Sequence, residues 1–193
     1  MSVVGVVLAA GAGSRFGGMV KQTAPFRGRP LVTWPVAALR AGGVEDVVVV
    51  LGAHADEVAA AVDVDTAVAE DWAEGLSASL RCGVAAAVER GAEAVVVVLG
   101  DQPLLSGAAV AKVVEARDPA TAIAVRATYG GVPGHPTLIE STMFTAIAEL
   151  RGDTGARELL RGAAFVICDG LGSPVDADTP ELLALLAAAQ DAP

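Results

Sequence analysis

A chain of 193 residues, 53% of them apolar, is long enough to bury about 70% of the surface its unfolded form exposes, so one globular domain spanning 1–193 is expected. Its 23 acidic against 13 basic side chains give a net charge of −10, which argues against nucleic acid or an anionic membrane as partner. Cys82 and Cys168 show no C-x-x-C spacing and no nearby His, so neither a disulfide framework nor a zinc site is indicated; no apolar run nears the roughly 20 residues of a membrane span and no signal-peptide pattern opens the chain, so a cytoplasmic protein is expected.

Taken in chain order, Val3–Leu8 is a short β-branched run, and similar runs recur at 46–51, 63–68, 94–99 and 121–125. Continuous apolar strands of this kind predict a largely buried parallel sheet. Helical spacing fills the intervals at 30–41, 55–61, 76–90 and 107–117, and the alternation predicts a layered α/β domain with right-handed crossovers. After residue 126 it loosens into a Gly/Pro-rich stretch, two adjacent helices near 141–150 and 154–161, a strand at 164–168 and a final helix at 180–189. Thr179, Pro180 and Glu181 supply a capping hydroxyl and a first-turn proline for that helix. The two cysteines read as small buried hydrophobes.

The first strand runs into the most informative segment, Leu8-Ala9-Ala10-Gly11-Ala12-Gly13-Ser14-Arg15-Phe16-Gly17-Gly18-Met19-Val20-Lys21. Small residues let successive main-chain amides approach phosphate oxygens as an anion-binding nest, and Arg15 and Lys21 can neutralise the charge that amides leave. Residues 1–44 also hold Arg27, Arg29 and Arg40 and no acid, a cationic island in an acidic chain that reads as a place to receive an anion. A dinucleotide-binding loop would need a helix opening at the glycines and an acid about 20 residues on; Pro25 and Pro30 delay the helix, and the first acid is Glu45. A Walker A loop needs lysine directly after its last glycine, where Met19 stands. A purely structural turn is the remaining alternative.

Asp101, in Gly100-Asp101-Gln102-Pro103, follows the strand at 94–99, and ligands in open α/β sheets gather beyond such strand ends. A carboxylate there is placed to hold magnesium, a hard cation usually bound through one or two carboxylates and substrate phosphates. Asp176 and Asp178 form an i, i+2 pair before the last helix; in extended chain both point to one side and either could complete the metal shell, while Asp178 or Thr179 could instead merely cap the helix.

The loop L-A-A-G-x-G-S-R-F-G followed by lysine resembles the signature of the molybdenum cofactor cytidylyltransferases, within the wider family of molybdopterin nucleotide transferases and sugar-nucleotide pyrophosphorylases. Trp72-Ala73-Glu74-Gly75-Leu76-Ser77-Ala78-Ser79-Leu80 resembles that family's W-x-x-G-x-x-x-S-L element, and Gly134-His135-Pro136, Gly152-Asp153-Thr154-Gly155-Ala156-Arg157 and Asp176-Ala177-Asp178-Thr179-Pro180 resemble its later motifs. The motifs keep the family's order from residue 8 to 180. The resemblance implies a single three-layer α/β/α domain with a mostly parallel sheet, the Rossmann-like nucleotidyltransferase fold. It implies a triphosphate held by Leu8, Ala9, Ala10, Gly11, Gly13, Ser14, Arg15 and Lys21, and a base or ribose met by Gly75 and Ser79. Gly134, His135, Asp153 and Arg157 would line an acceptor pocket, and Asp176 and Asp178 would approach the magnesium held by Asp101 from across the site.

The implied reaction moves CMP from CTP onto a phosphorylated, pterin-like acceptor, molybdopterin, with release of pyrophosphate, magnesium as cofactor, Arg15, Lys21 and Asp101 catalytic, and transient contact with a receiving molybdoenzyme. The Ala9-Ala10-Gly11 form looks like the cytidylyl branch. His135 reads either as a general base or as a loop residue against substrate, Arg157 either as a fork on the acceptor phosphate or as a surface cation. Trp34 and Trp72 read as packing residues. Two other classes compete: an NAD(P)H-dependent oxidoreductase acting on a quinone or dye, against which the missing ribose acid counts, and a protein that binds a pterin cofactor without chemistry.

Overall fold

A computed structural model describes residues 2–152 and 158–189. Strands β1 (Val3–Leu8), β4 (Val47–Leu51) and β6 (Ala94–Leu99) are apolar throughout because each faces two cores. Val4, Val6, Val50 and Val97 enter one; Val7, Val49, Val96 and Val98 enter the other. The first core is closed by α3 (Leu76–Glu89) and α5 (Phe144–Ala148) through Leu80, Val84, Phe144 and Ile147. The second is closed by α1 (Thr33–Ala41) and α4 (Gly107–Glu115) through Val36, Leu39, Val110 and Val113. The expected α/β/α layering is thereby met.

With β5 (Asp65–Val68), β7 (Ala124–Tyr129), β8 (Val132–Glu140) and β9 (Ala164–Ile167), the sheet has seven strands in the order β5-β4-β1-β6-β8-β7-β9. Only β8 runs against the rest. That strand departs from the sequence expectation, which placed a Gly/Pro-rich stretch and no strand between residue 126 and the helix near 141. Residues 137–140 pair with β6, and the pairing stops at Val97 opposite Thr137. Pro133 and Pro136 lie beyond that point, with only β7 alongside and a register shift between Arg126 and Thr128, so their missing N–H groups interrupt no ladder on the β6 side.

Other boundaries move for local reasons. Pro30 belongs to a short hairpin of β2 (Pro25–Phe26) and β3 (Arg29–Pro30), so α1 begins at Thr33 rather than 30. The helix expected at 141–150 is a 3₁₀ turn, Ser141–Met143, leading into α5, and of the helix expected at 154–161 residues 154–157 lie outside the described residues. The short α2 (Ala55–Ala59) sends Val58 into the α1-side core. The final helix α6 (Pro180–Ala188) starts as expected, with the Thr179 hydroxyl accepting from the Leu182 amide at 3.2 Å.

Two packing features set up the site. A third cluster of Phe16, Phe26, Leu31, Ala177 and Leu183 binds the glycine loop, the β2–β3 hairpin and α6 into one body, which brings residues 8–21 against 176–178. Arg27 adds to it by donating to the carbonyls of Leu186 and Ala187 at the end of α6, where the helix dipole favours a cation. Separately, α3 lies very low on the sheet: a Cβ on Gly83 would fall 2.4 Å from Val6 Cγ1 and 2.9 Å from Val50 Cγ2.

Candidate active site

The chain passes from β1 outward to β4 and β5, and then α3 returns it to β6 on the other flank of β1. Between β1 and β6 the winding reverses, and a crevice opens at the carboxyl ends of such strands. Here it is a cleft of about 380 Å³, with the glycine loop after β1 on one wall, Gly75 and Ser79 on another, and Asp101 and Asp178 at the floor. Leu8, Ala10, Gly11, Gly13, Ser14, Arg15 and Lys21 line it as the loop reading expects. Ala9 does not: its side chain packs in the α1-side core and its amide donates to the Val50 carbonyl at 2.9 Å.

Gly13 is the point on which the loop turns. Its φ of 59° is left-handed, and a Cβ there would lie 2.7 Å from Lys21 Cβ, so only glycine lets the loop pass over the lysine. Ser14–Phe16 is a 3₁₀ turn, and Gln22 donates to the Gly11 carbonyl at 3.0 Å to brace the loop from behind. Beneath the loop Lys21 is buried, with 7% of its surface exposed, and its Nζ donates to Asp101 Oδ2 at 2.5 Å and Asp178 Oδ1 at 2.9 Å. Arg15 Nη1 completes the network 3.1 Å from Asp178 Oδ2. The Lys21 hydrogen bond, with Lys21 and Arg15 as neighbouring charges, holds the Asp178 carboxyl below the usual carboxylate range.

Asp176 does not share that environment. Burial, then the charge of Asp101, pushes its carboxyl upward, partly offset by a hydrogen bond of 2.8 Å from Gln102 Nε2. The segment is not the plain extended chain expected of it, because the Asp178 amide donates to the Asp176 carbonyl at 3.0 Å in a three-residue turn. The Ala177 amide donates to the Asp101 carbonyl at 2.8 Å and ties the two acidic segments together.

Whether these oxygens suit a metal turns on Asp101. Its Oδ1 is buried with no hydrogen-bond donor among the described residues, while Oδ2 takes the lysine. A buried carboxylate oxygen in that state is free to ligate a hard divalent cation. Among the described residues no group of three or more His, Cys, Asp or Glu side chains is drawn together as a metal cage, and Lys21 lies between Asp101 and Asp178. The donor set therefore fits a cation shared between one or two carboxylates and substrate phosphates.

On the opposite wall, Trp72–Glu74 is a 3₁₀ turn and Gly75, at φ 116°, opens α3 with its N-terminus toward the cleft. Trp72 both packs on the α3-side core and lines the cleft, whereas Trp34 packs edge-on against Phe26 away from it. Three of the five early cations are dispersed by the fold: Arg27 holds α6, Arg29 stacks over Trp34 at 4.0 Å, and Arg40 pairs with Asp63. The cationic island thus contributes only Arg15 and Lys21 to the cleft.

Gly134 and His135 lie on β8, beyond the end of β6 pairing, and are not part of the cleft wall. The His135 ring is pushed down to about 4 by burial and by Arg126, so it is neutral at physiological pH. Asp153 and Arg157 lie outside the described residues. Reading the sequence missed Gln22 and Gln102, which brace the loop and Asp176, and also Arg81, which meets the Leu150 carbonyl, Asp71 and Glu74. Cys168 is buried as expected and Cys82 partly so, with both thiols raised by burial.

Comparison with known proteins gives the family and the fold. Residues 5–167 match the family described as MobA-like NTP transferase domain. The chain is 34% identical over 192 residues to nicotine blue oxidoreductase of Paenarthrobacter nicotinovorans, covering 93% of each. Among solved structures it is similar to Rv0371c of Mycobacterium tuberculosis H37Rv, with 29% identity, TM-score 0.82 and coverage of 97% of this chain and 98% of that one. Rv0371c has also been solved in complex with manganese, at TM-score 0.79 and 29% identity over 98% of this chain and 100% of that one. A nucleotidyl transferase of Methanothermobacter thermautotroptrophicus, 23% identical with a TM-score of 0.80 over 97% of this chain and 96% of that one, shares the fold.

Proposed function

The chain belongs to the MobA-like NTP transferase domain family, and from that premise we propose that it transfers CMP from CTP to the phosphate of molybdopterin. The observation that carries the reading is the Lys21 ammonium held between Asp101 and Asp178 beneath the Gly13 turn, with the second oxygen of Asp101 unsatisfied. A terminal phosphate oxygen of the acceptor attacks the α-phosphorus; the new P–O bond forms as the bond to the β-phosphate bridge breaks, and pyrophosphate carries the electron pair away. The acceptor phosphate is already ionised near pH 7, so no general base is required, which suits a His135 that burial makes a weak base and that lies outside the cleft wall.

Both reactants are anions, and the work of the site is to bring them together. Arg15 and Lys21 supply fixed positive charge to the triphosphate, the loop amides orient it, and Gly75 and Ser79 receive the nucleoside end. Asp101, with Asp178 or Asp176, would hold a magnesium ion shared with the phosphates, which when bound offsets the charge that builds on them. In this reading the acceptor falls to Asp153 and Arg157, as the family resemblance implies, rather than to Gly134 and His135, which do not line the cleft, and a molybdoenzyme would receive the product. The preference for CTP rests on the Ala9-Ala10-Gly11 form of the loop.

The test offers each of the four nucleoside triphosphates with magnesium, with and without molybdopterin, and follows pyrophosphate release and product mass. CTP with molybdopterin should yield the cytosine dinucleotide; no pyrophosphate from any combination would overturn the proposal. A second reading, an NAD(P)H-dependent oxidoreductase acting on a quinone or dye, is favoured by the name of the relative that spans 93% of both chains. Against it, the glycines run into a 3₁₀ turn rather than a helix, and α1 starts only at Thr33. That reading requires NAD(P)H oxidation without magnesium and without pyrophosphate.

A further inference from the structure

Arg81 sits in α3 outside the cleft, yet its guanidinium reaches three separate places. Nη1 donates to the Leu150 carbonyl at 2.7 Å, and Nη2 donates to the carboxylates of Asp71 and, at 3.1 Å, Glu74. Only 15% of the arginine side chain is exposed, against 44% for Asp71 and 53% for Glu74, so the cation is a fixed post and the acids are its surface partners. One helical turn earlier, on the same face, the Ser77 hydroxyl donates to the Gly152 carbonyl. This face of α3 therefore fastens two segments at once, the 71–74 turn and residues 150–152.

The 71–74 turn matters because Trp72 and Ala73, between its two acids, line the cleft. A nucleoside triphosphate brings several negative charges to that cleft, and two uncompensated carboxylates at its rim would oppose them. We propose that Arg81 is a positioning residue for the nucleotide. It holds the 71–74 turn in the shape that meets the nucleoside, masks the charges of Asp71 and Glu74, and through the Leu150 carbonyl keeps that turn in register with the chain leaving α5. The inference rests on the cleft being the triphosphate seat.

The test measures magnesium–CTP binding by calorimetry without acceptor, and KM for CTP and kcat by pyrophosphate release. Arg81→Met should raise both the dissociation constant and KM for CTP about tenfold with kcat changed by less than about threefold. Arg81→Lys, which keeps charge and loses the planar fork, should fall between. Adding Glu74→Gln to Arg81→Met should recover part of the loss, and raising salt from about 50 to 300 mM should narrow the gap to the wild type as the exposed acids are screened. A merely structural arginine gives neither effect, because Glu74 is more than half exposed. If Arg81→Met does not fold, Arg81→Lys and its salt response carry the same test. An unchanged KM, a loss confined to kcat, or no recovery with Glu74→Gln overturns the inference while leaving the transferase reading in place; a wild-type protein that binds no triphosphate overturns both.

Discussion

Lys21 and Asp101 contribute unequally to stability, and this separates catalytic from structural roles. Replacing Lys21 by Met leaves Asp101 and Asp178 beside each other without their buried cation, so Lys21→Met should lose turnover and about 1–3 kcal/mol of stability, less than a fully buried pair would cost because Asp178 is 39% exposed. Asp101→Asn takes one of two anions from the buried Lys21 ammonium and leaves Asp178 in place, so it should lower turnover at least about a hundredfold and cost less stability than Lys21→Met, as read from the urea midpoint. Equal loss of stability in both would remove the argument. These residues were legible because each belongs to a motif with a mechanical reason: glycines for close approach, a cation after them, an acid at a strand tip. Gln22, Gln102 and Arg81 were not, since a side chain that braces another reveals itself only when the chain has folded round it.

His135 carries a pH signature at the same scale. Its folded value of about 4 lies below the unfolded 6.5, so between these limits the unfolded chain binds the extra proton and stability falls as pH drops from about 6.5 toward 4. Above 6.5 the contribution is flat. Full burial would make the loss about 3 kcal/mol, and the partial exposure of the residue makes it smaller. Urea titrations at pH 5 and pH 7 check this: the difference should shrink in His135→Gln, and pyrophosphate release should show no break near 6.5 from this ring.

At the scale of elements, the apolar strands and the helices between them could be read from period alone, while β8 could not. Val132-Pro133-Gly134-His135-Pro136 carries turn residues, and only its position beyond the reach of β6 allows it to be strand. The last helix was legible in detail because its cap is chemical rather than tertiary. Thr179→Ala should cost about 1 kcal/mol, measured by thermal unfolding, and should also weaken activity because Asp178 is the next residue. In α3, Gly83→Ala forces a methyl group into Val6 and Val50 and should cost about 1–3 kcal/mol.

For the whole molecule, the layers and the site were predictable together because the reversal of winding between β1 and β6 places the glycine loop and Asp101 side by side. The dispersal of Arg27, Arg29 and Arg40 was not, since charge counted along a chain says nothing of where its bearers face. Ligand linkage gives a global test. Magnesium–CTP at about a hundred times its dissociation constant should add about 2.7 kcal/mol and raise the melting temperature by roughly 5–11 °C, and chelator should abolish the rise. Magnesium alone should shift it little, because Lys21 already lies between two of the carboxylates.

The depth at which α3 rests on β1 and β4 limits how such a scaffold can diversify. With Gly83 flush against Val6 and Val50, the helix has no room to sink and loses contact if lifted, so this wall of the cleft behaves as a fixed bench. Under the proposed transferase reading, discrimination among pyrimidines and purines falls to the tools on that bench, Ala73, Leu76 and Ser79, and swapping them should retune selectivity without disturbing the masonry below.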